Sequence, residues 1–337
     1  MRYFWLPSLI EKLEGLTGGS GLNIPRVLAL AGGVGGAKLV FGLTKILEPG
    51  SLDVVVNTGD DEEFYGLHVS PDLDTVMYTL GGISNTGTGW GIEGDSFSTL
   101  ERLQNFGADS WFKLGDLDFA THIRRTQLLR GGETLTKVTR LLSSALGIEH
   151  IIAPMTDGRV RTVVTTEVGE MSFQEYFVRN RCEPVVKSLR FEGSSGAEPS
   201  STLQAGLNKA DVMVFCPSNP FLSVEPILSL PGVREGVKGF GGTRIVVSPI
   251  VGGKAIKGPA AKMLAELRHD VSALGVAQMY VGLCDVFVLD NQDRDLAQEI
   301  NKLGMRATVA DTVMRTDKDK IDLAKEILKT SGWELTE

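Results

Sequence analysis

A glycine cluster and several groups of carboxylates have the residue types and spacing needed for chemistry on a phosphate. The cluster is Ala31-Gly32-Gly33-Val34-Gly35-Gly36-Ala37-Lys38, directly after the apolar run Arg26-Val27-Leu28-Ala29-Leu30. Glycine at 32, 33, 35 and 36 leaves backbone N–H groups open to a ligand that side chains would shield. The apolar period resuming at Leu39, Val40 and Leu43 predicts a helix whose N-terminus faces the loop, a setting for a phosphate or another anion. Neither common phosphate grammar fits. Ala37 stands where a Walker A loop has glycine before its lysine, and Lys38 fills the last glycine slot of the dinucleotide pattern. The second strand also ends in Asn57, where a nicotinamide ribose would need an acid.

That second strand runs into Thr58-Gly59-Asp60-Asp61-Glu62-Glu63. Clustered carboxylates at a strand's carboxyl end repel one another unless a cation sits among them, so Mg²⁺ is the expected occupant and Asp60 its ligand. Ser70-Pro71-Asp72-Leu73-Asp74-Thr75 reads as a helix start. Its dipole accounts for Asp72, which leaves Asp74 for a ligand. In Trp111-Phe112-Lys113-Leu114-Gly115-Asp116-Leu117-Asp118-Phe119-Ala120-Thr121-His122, Lys113 is placed to reach an anion, and His122 reads as a helix-face residue before a general base. Ser218 and Asn219, in Cys216-Pro217-Ser218-Asn219-Pro220, offer hydroxyl and amide groups. Gly252 and Gly253, after Ser248-Pro249-Ile250-Val251, permit close backbone approach.

The elements that must hold these loops follow from hydrophobic pattern. Apolar runs at 26–31, 53–57, 211–215, 244–248 and 284–289 alternate with helical periods. They predict an α/β fold: a doubly wound, mainly parallel Rossmann-like sheet, its loops converging on one crevice. A mainly helical insertion is expected at about 60–150 and a small antiparallel element within 151–191. Residues 25–330 read as a single domain. Leu6, Leu9, Ile10, Leu13 and Leu16 predict an amphipathic helix, and Thr17-Gly18-Gly19-Ser20-Gly21 a linker, at 1–24.

Composition bounds the partners. A net charge of −8 argues against a nucleic-acid binder. No apolar run reaches membrane-spanning length. Cys182, Cys216 and Cys284 form no paired motif, which excludes a zinc framework and indicates a reducing, cytoplasmic setting.

Taken in order, the glycine cluster at 31–38, Ser-Pro-Asp-Leu-Asp-Thr at 70–75, Lys-Leu-Gly-Asp at 113–116 and Ala-Thr-His at 120–122 resemble the 2-phospho-L-lactate transferase family. So do Pro-Ser-Asn-Pro at 217–220, Ser-Pro-Ile-Val-Gly-Gly at 248–253 and Ala-Asp-Thr-Val-Met at 310–314; the likeness runs from Arg26 to about Leu328. It implies a Mg²⁺-dependent step of coenzyme F420 biosynthesis. A phospho-lactyl or phosphoenolpyruvyl group passes from a guanosine diphosphate-linked donor to 7,8-didemethyl-8-hydroxy-5-deazariboflavin, releasing GMP. The resemblance implies a homodimer, places the flavin precursor near Asp74 and Lys113, and places the nucleotide between the glycine cluster and the two proline-bearing loops.

Such a transfer needs positioning and charge neutralisation more than covalent catalysis. Asp60 and Asp74 are then the expected metal ligands, Asp74 the first and Asp116 the second choice of general base, and no cysteine is essential. Two departures stand out. Leu117 occupies a position where many relatives carry a basic residue, and the stretch Gly81–Trp90 resembles the longer loop of bacterial members, which leaves the acyl group open. The competing reading is a nucleotide-sugar-binding regulator of the gluconeogenesis-factor type.

Overall fold

The computed structural model describes residues 24–333, so the helix and linker expected at 1–24 lie almost wholly outside the described residues. In chain order the strands are β1 (Val27–Ala31), β2 (Leu52–Val56), the hairpin β3 (Glu62–Phe64) and β4 (Leu67–Val69), and β5 (Ile151–Pro154). An antiparallel trio follows, β6 (Arg161–Thr166), β7 (Gly169–Ser172) and β8 (Val186–Glu192). Then come β9 (Val212–Phe215), β10 (Thr243–Val247), the short hairpin β11 (Ile250–Val251) and β12 (Lys254–Ala255), β13 (Val286–Asp290) and β14 (Arg306–Ala310).

Seven of these form one sheet, in the order β14-β13-β10-β9-β1-β2-β5, with every neighbouring pair parallel. Every residue of β1, Val-Leu-Ala-Leu-Ala, and of β9, Val-Met-Val-Phe, is buried, as strands covered on both faces must be. Alternate side chains feed two cores. Leu28, Leu30, Met213 and Phe215 pack on one face, while Val27, Ala29, Val212 and Val214 pack on the other. Strand order reverses between β1 and β9, and sheets of this kind open a ligand crevice at the carboxyl ends of the strands flanking such a reversal.

The first helices are α1 (Gly33–Thr44), α2 (Pro71–Leu80), α3 (Ser98–Asn105), α4 (Asp116–Arg130) and α5 (Leu135–Ala145). Helix Asp317–Thr330, begun by a Thr316/Asp319 capping box, lies so close to α1 that a Cβ on Gly42 would fall 2.0 Å from the Lys320 carbonyl oxygen.

The insertion differs from expectation at both ends. It opens with the β3–β4 hairpin, turned by Tyr65 and Gly66 at φ 55° and 73°, before it becomes helical. Residues 151–154 form a parallel edge strand of the main sheet, so the antiparallel element begins only at Arg161. Strand β14 has no buried residue to mark it, and its alternating Arg-Ala-Thr-Val-Ala lacks the apolar run of its neighbours.

Candidate active site

The glycine cluster bridges β1 and α1, with Gly33 at φ +62°. Protein groups crowd its positions. A Cβ on Gly35 would lie 2.2 Å from the Pro217 carbonyl oxygen, one on Gly36 2.9 Å from Ser218 Oγ, and one on Gly32 2.5 Å from Ser223 Cβ. Packing alone thus demands three of the four glycines. The loop is also bonded in place: Gly32 N–H donates to Ser218 Oγ (3.2 Å), Ser218 Oγ donates to the Gly32 carbonyl (2.8 Å), and Gly33 N–H donates to Asp72 Oδ1 (2.7 Å).

Asp72 is therefore more than an acid at a helix start, as the sequence suggested. Its other oxygen accepts from Asn57 Nδ2 at 2.9 Å, and Asn57 Oδ1 accepts the Gly59 N–H at 2.8 Å. Asn57 ties α2, the glycine cluster and the Asp60 loop together at the end of β2.

Asp60 and Asp72 are buried in this corner, and Asp61 nearly so. Burial pushes the Asp60 carboxyl well above the ordinary range, and the neighbouring Asp72 charge adds to it. Burial raises Asp61, and it raises Asp72 to about 6. Asp60 Oδ1 and Asp61 Oδ1 have no hydrogen-bond partner. Asp61 Oδ2 accepts from Ser70 Oγ at 2.7 Å and lies 3.0 Å from His68 Nε2. Partnerless buried carboxylate oxygens are hard donors suited to Mg²⁺, which usually takes one or two carboxylates and completes its shell with phosphate and water. Among the described residues no set of three or more His, Cys, Asp or Glu side chains forms a metal cage.

Asp74 is placed otherwise than its assignment as metal ligand and base requires. Both of its oxygens are held by the guanidinium of Arg125, which is completely buried. That pairing occupies both Asp74 oxygens and leaves neither free for an ion. Arg125 Nη1 also lies 3.2 Å from His122 Nδ1. Since guanidinium only donates, Nδ1 accepts and the ring N–H is on Nε2, 3.0 Å from Asp118 Oδ1. Asp118 Oδ1 accepts in turn from Tyr78 Oη at 2.6 Å, and burial above all keeps the Tyr78 hydroxyl protonated. His122 lies on a helix face, as expected, and that face is buried in a polar network.

Asp116 does not fit the role of base either. Its carboxylate accepts from Ser96 Oγ and from the N–H groups of Ser98 and Thr99, so it fixes the start of α3. Those bonds, led by that of Ser96, hold it at about 2, too acidic to take a proton near neutrality.

Lys113 lines a cavity of about 230 Å³ with Asn85, Thr88, Trp90, Ile92, Asp95 and Phe97; Asp74 is not in its wall. Asp95 closes one side and accepts the N–H groups of Leu117 (2.8 Å) and Asp118 (3.1 Å) at the start of α4. The loop between α2 and α3 separates this cavity from the glycine cluster. A Cβ on Gly89 would stand 3.7 Å from Val34 Cγ2, and Lys257 Nζ reaches the Thr88 carbonyl at 3.5 Å.

The remaining expected residues are engaged by the protein itself. Asn219 Oδ1 caps the turn after β9 through the N–H groups of Phe221 and Leu222. Gly252 and Gly253, at φ 56° and 71°, make the two-residue turn of the β11–β12 hairpin, and Gly252 N–H donates to Asp293 Oδ2 at 2.9 Å. Ser218 serves as a latch on Gly32. Arg125, Tyr78, Asp118, Trp90 and Asp95 were not singled out from sequence. The cross-site partners of Arg125, Tyr78, Asp118 and Asp95 are 22–51 residues away, and no local pattern in the sequence pairs them.

The family model described as 2-phospho-L-lactate transferase CofD matches residues 27–328. The chain is 41% identical over 302 residues to a 2-phospho-L-lactate transferase of Methanosarcina acetivorans, covering 90% of this chain and 98% of that protein. It is 37% identical over 310 residues to the one of Methanocaldococcus jannaschii, covering 91% and 98%. A phosphoenolpyruvate transferase of Streptomyces griseus is 40% identical over 316 residues, covering 90% and 99%. A solved structure of a upf0052 family member from Bacillus halodurans superposes with a TM-score of 0.59 at 18% identity, covering 91% of this chain and 100% of that one, a likeness of fold alone.

Proposed function

The chain belongs to the 2-phospho-L-lactate transferase family, and from that premise we propose how its site carries out a transfer in coenzyme F420 biosynthesis. A phospho-lactyl or phosphoenolpyruvyl group moves from a guanosine diphosphate-linked donor to the deazaflavin precursor, with GMP leaving. Relatives named for either acyl group match this chain at similar identity, so both donors remain in play. The regulator reading is not favoured, since the relatives matched along the chain carry transferase names.

The observation that carries the reading is adjacency. The crevice of the glycine cluster and the aromatic-walled cavity of Lys113 share one loop, with Gly89 against Val34 and Trp90 in the cavity wall. A diphosphate at the N-terminus of α1 and a flat heterocycle against Trp90 would therefore lie side by side. The first-turn N–H groups of α1 beyond that of Gly33, which Asp72 takes, bind and orient phosphate oxygens, held in register by Asp72 and Ser218. Lys113 faces the acceptor or the transferred acid. The acceptor hydroxyl forms the new P–O bond as the bridging P–O bond to the GMP phosphate breaks, and the hydroxyl proton passes to solvent or to the departing phosphate.

Asp60 and its chain neighbour Asp61, through their partnerless Oδ1 atoms, would hold Mg²⁺ here, in place of the Asp60 and Asp74 pair expected from sequence. Bound there, Mg²⁺ supplies charge neutralisation for the diphosphate. The reading includes a cytoplasmic homodimer; among the described residues no helix is long and apolar enough to cross a membrane.

The test is GMP release from lactyl- and enolpyruvyl-diphosphoguanosine with the deazaflavin precursor, with and without MgCl₂. Turnover with at least one donor that EDTA abolishes supports the reading. Nucleotide-sugar binding without turnover would sink it.

A further inference from the structure

Two helices carry the two halves of the site. Helix α2 presents Asp72, which clamps the glycine cluster through Gly33. Helix α4 begins immediately after Lys113 and Gly115 of the cavity wall, and its first N–H groups bind Asp95 of that wall. Between the helices runs a buried polar bridge: Arg125 of α4 grips Asp74 of α2 with both Nη atoms, and Tyr78 of α2 donates to Asp118 of α4 at 2.6 Å. His122, on α4 between the two contacts, accepts from Arg125 at Nδ1 and faces Asp118 with Nε2.

A buried ion pair is weak evidence for stability, because apolar side chains of similar volume often serve better. Its directional bonds do fix relative position, since a two-pronged guanidinium–carboxylate contact admits one geometry. We propose that Arg125, Tyr78, His122 and Asp118 are positioning residues that align the acceptor cavity with the donor crevice, with Asp74 as their anchor on α2. The inference rests on the two-substrate reading above. None of the four residues lines the cavity, and Asp118 reaches its wall only through the backbone N–H that Asp95 accepts. Misalignment of reacting groups by about 1 Å can cost about 10²-fold in rate while leaving each ligand's own contacts intact. The signature of alignment is thus a loss of kcat without a loss of affinity.

The test uses Tyr78→Phe, which removes one hydroxyl and keeps the ring's packing, and Arg125→Lys, which keeps the charge and loses the fork. Acceptor affinity is read from deazaflavin fluorescence, GDP affinity by calorimetry, and kcat from GMP release with both donors. Tyr78→Phe is expected to lower kcat about 10-fold and Arg125→Lys about 10²-fold, with both dissociation constants within about twofold of wild type. A Tyr78→Phe protein that melts earlier but keeps wild-type kcat well below its melting temperature would reduce the bridge to a structural role and overturn the inference. Weakened acceptor binding in step with kcat would also overturn it, by making the bridge part of the pocket. Wild type that releases no GMP from either donor would instead remove the transferase reading itself, and the inference with it.

Discussion

Asp72 Oδ1 accepts the Gly33 N–H at 2.7 Å and ties the first turn of α2 to a loop 39 residues earlier in the chain. Gly33 sits at φ +62°, a conformation that side chains resist, so the loop's shape depends on this bond as well as on glycine. Asp72→Asn keeps an acceptor toward Gly33 but turns an amide toward Asn57 Nδ2, donor against donor. Nucleotide affinity is expected to fall at least about 10-fold, roughly 1.4 kcal/mol, with the fold retained. GDP titration by calorimetry measures it, and unchanged affinity would show that the clamp does not shape the nucleotide site.

The same residue has a pH signature. Burial raises Asp72 to about 6, above its ordinary carboxylate value of 3.8, so across that window the folded chain binds more protons at this site than the unfolded chain. Its contribution to stability therefore declines as pH rises from about 4 to 6 and is least favourable at neutrality. Urea unfolding should show Asp72→Asn gaining stability relative to wild type across this range, and MgCl₂ narrowing the gap at pH 7. A gap independent of pH would mean that Asp72 is not held protonated by its surroundings.

Gly35 lies where the loop after β9 crosses the start of α1, and a Cβ there would be 2.2 Å from the Pro217 carbonyl oxygen. Backbone cannot swing aside as a flexible side chain can, so Gly35→Ala must displace one of the two loops. The expected cost is about 1–3 kcal/mol. Gly50→Ala is the contrast, since nothing lies within 4 Å of its added Cβ and only the strain of φ +90° remains. Gly35→Ala should lose GDP binding along with stability, whereas Gly50→Ala should lose stability alone. Equal behaviour of the two would dispose of the crowding argument.

Cysteine chemistry is not expected to matter. Burial pushes the Cys182 thiol up to about 11 and Cys284 to about 12, and raises fully buried Cys216 as well. None is a thiolate near neutrality, the form a nucleophile needs. Cys182→Ser should keep kcat within about twofold of wild type, and iodoacetamide should not inactivate the native enzyme. Rapid inactivation that the nucleotide prevents would contradict this.

The sheet was legible because its strands are unbroken apolar runs, which require cover on both faces wherever they occur. β14 escaped notice because Arg306-Ala307-Thr308-Val309-Ala310 pairs on one side only and keeps no residue fully buried. At the site, the loops were legible as glycine and carboxylate clusters, but their partners were not. Asp72 and Asp74 stand two residues apart and look interchangeable in sequence. The fold sends Asp72 to Gly33 and Asn57 and sends Asp74 to Arg125, a choice made by residues 39 and 51 positions away. Asp116 likewise reads as a free acid until α3 folds back over it and Ser96, Ser98 and Thr99 take its oxygens.

Lys113 and Trp90 share the cavity wall but offer different things to an acceptor, and that difference separates binding from chemistry. Trp90 is 45% exposed, its ring edge-to-face with Phe97 at 6.4 Å, and gives the cavity a large apolar surface that suits a flat heterocycle. Trp90→Ala should weaken deazaflavin binding about 10-fold, about 1.4 kcal/mol, and leave GDP affinity unchanged. Lys113 supplies a charge, which a neutral ring system needs less than an anion does. Lys113→Ala should therefore affect the acidic donor more: its KM should rise and kcat fall, while fluorescence titration with the deazaflavin alone changes little. If Lys113→Ala instead abolishes deazaflavin binding while sparing the donor's KM, then the lysine holds the acceptor and the donor's acid must be recognised elsewhere. Lys257, whose ammonium reaches the Thr88 carbonyl of the same loop at 3.5 Å, would be the next residue to replace.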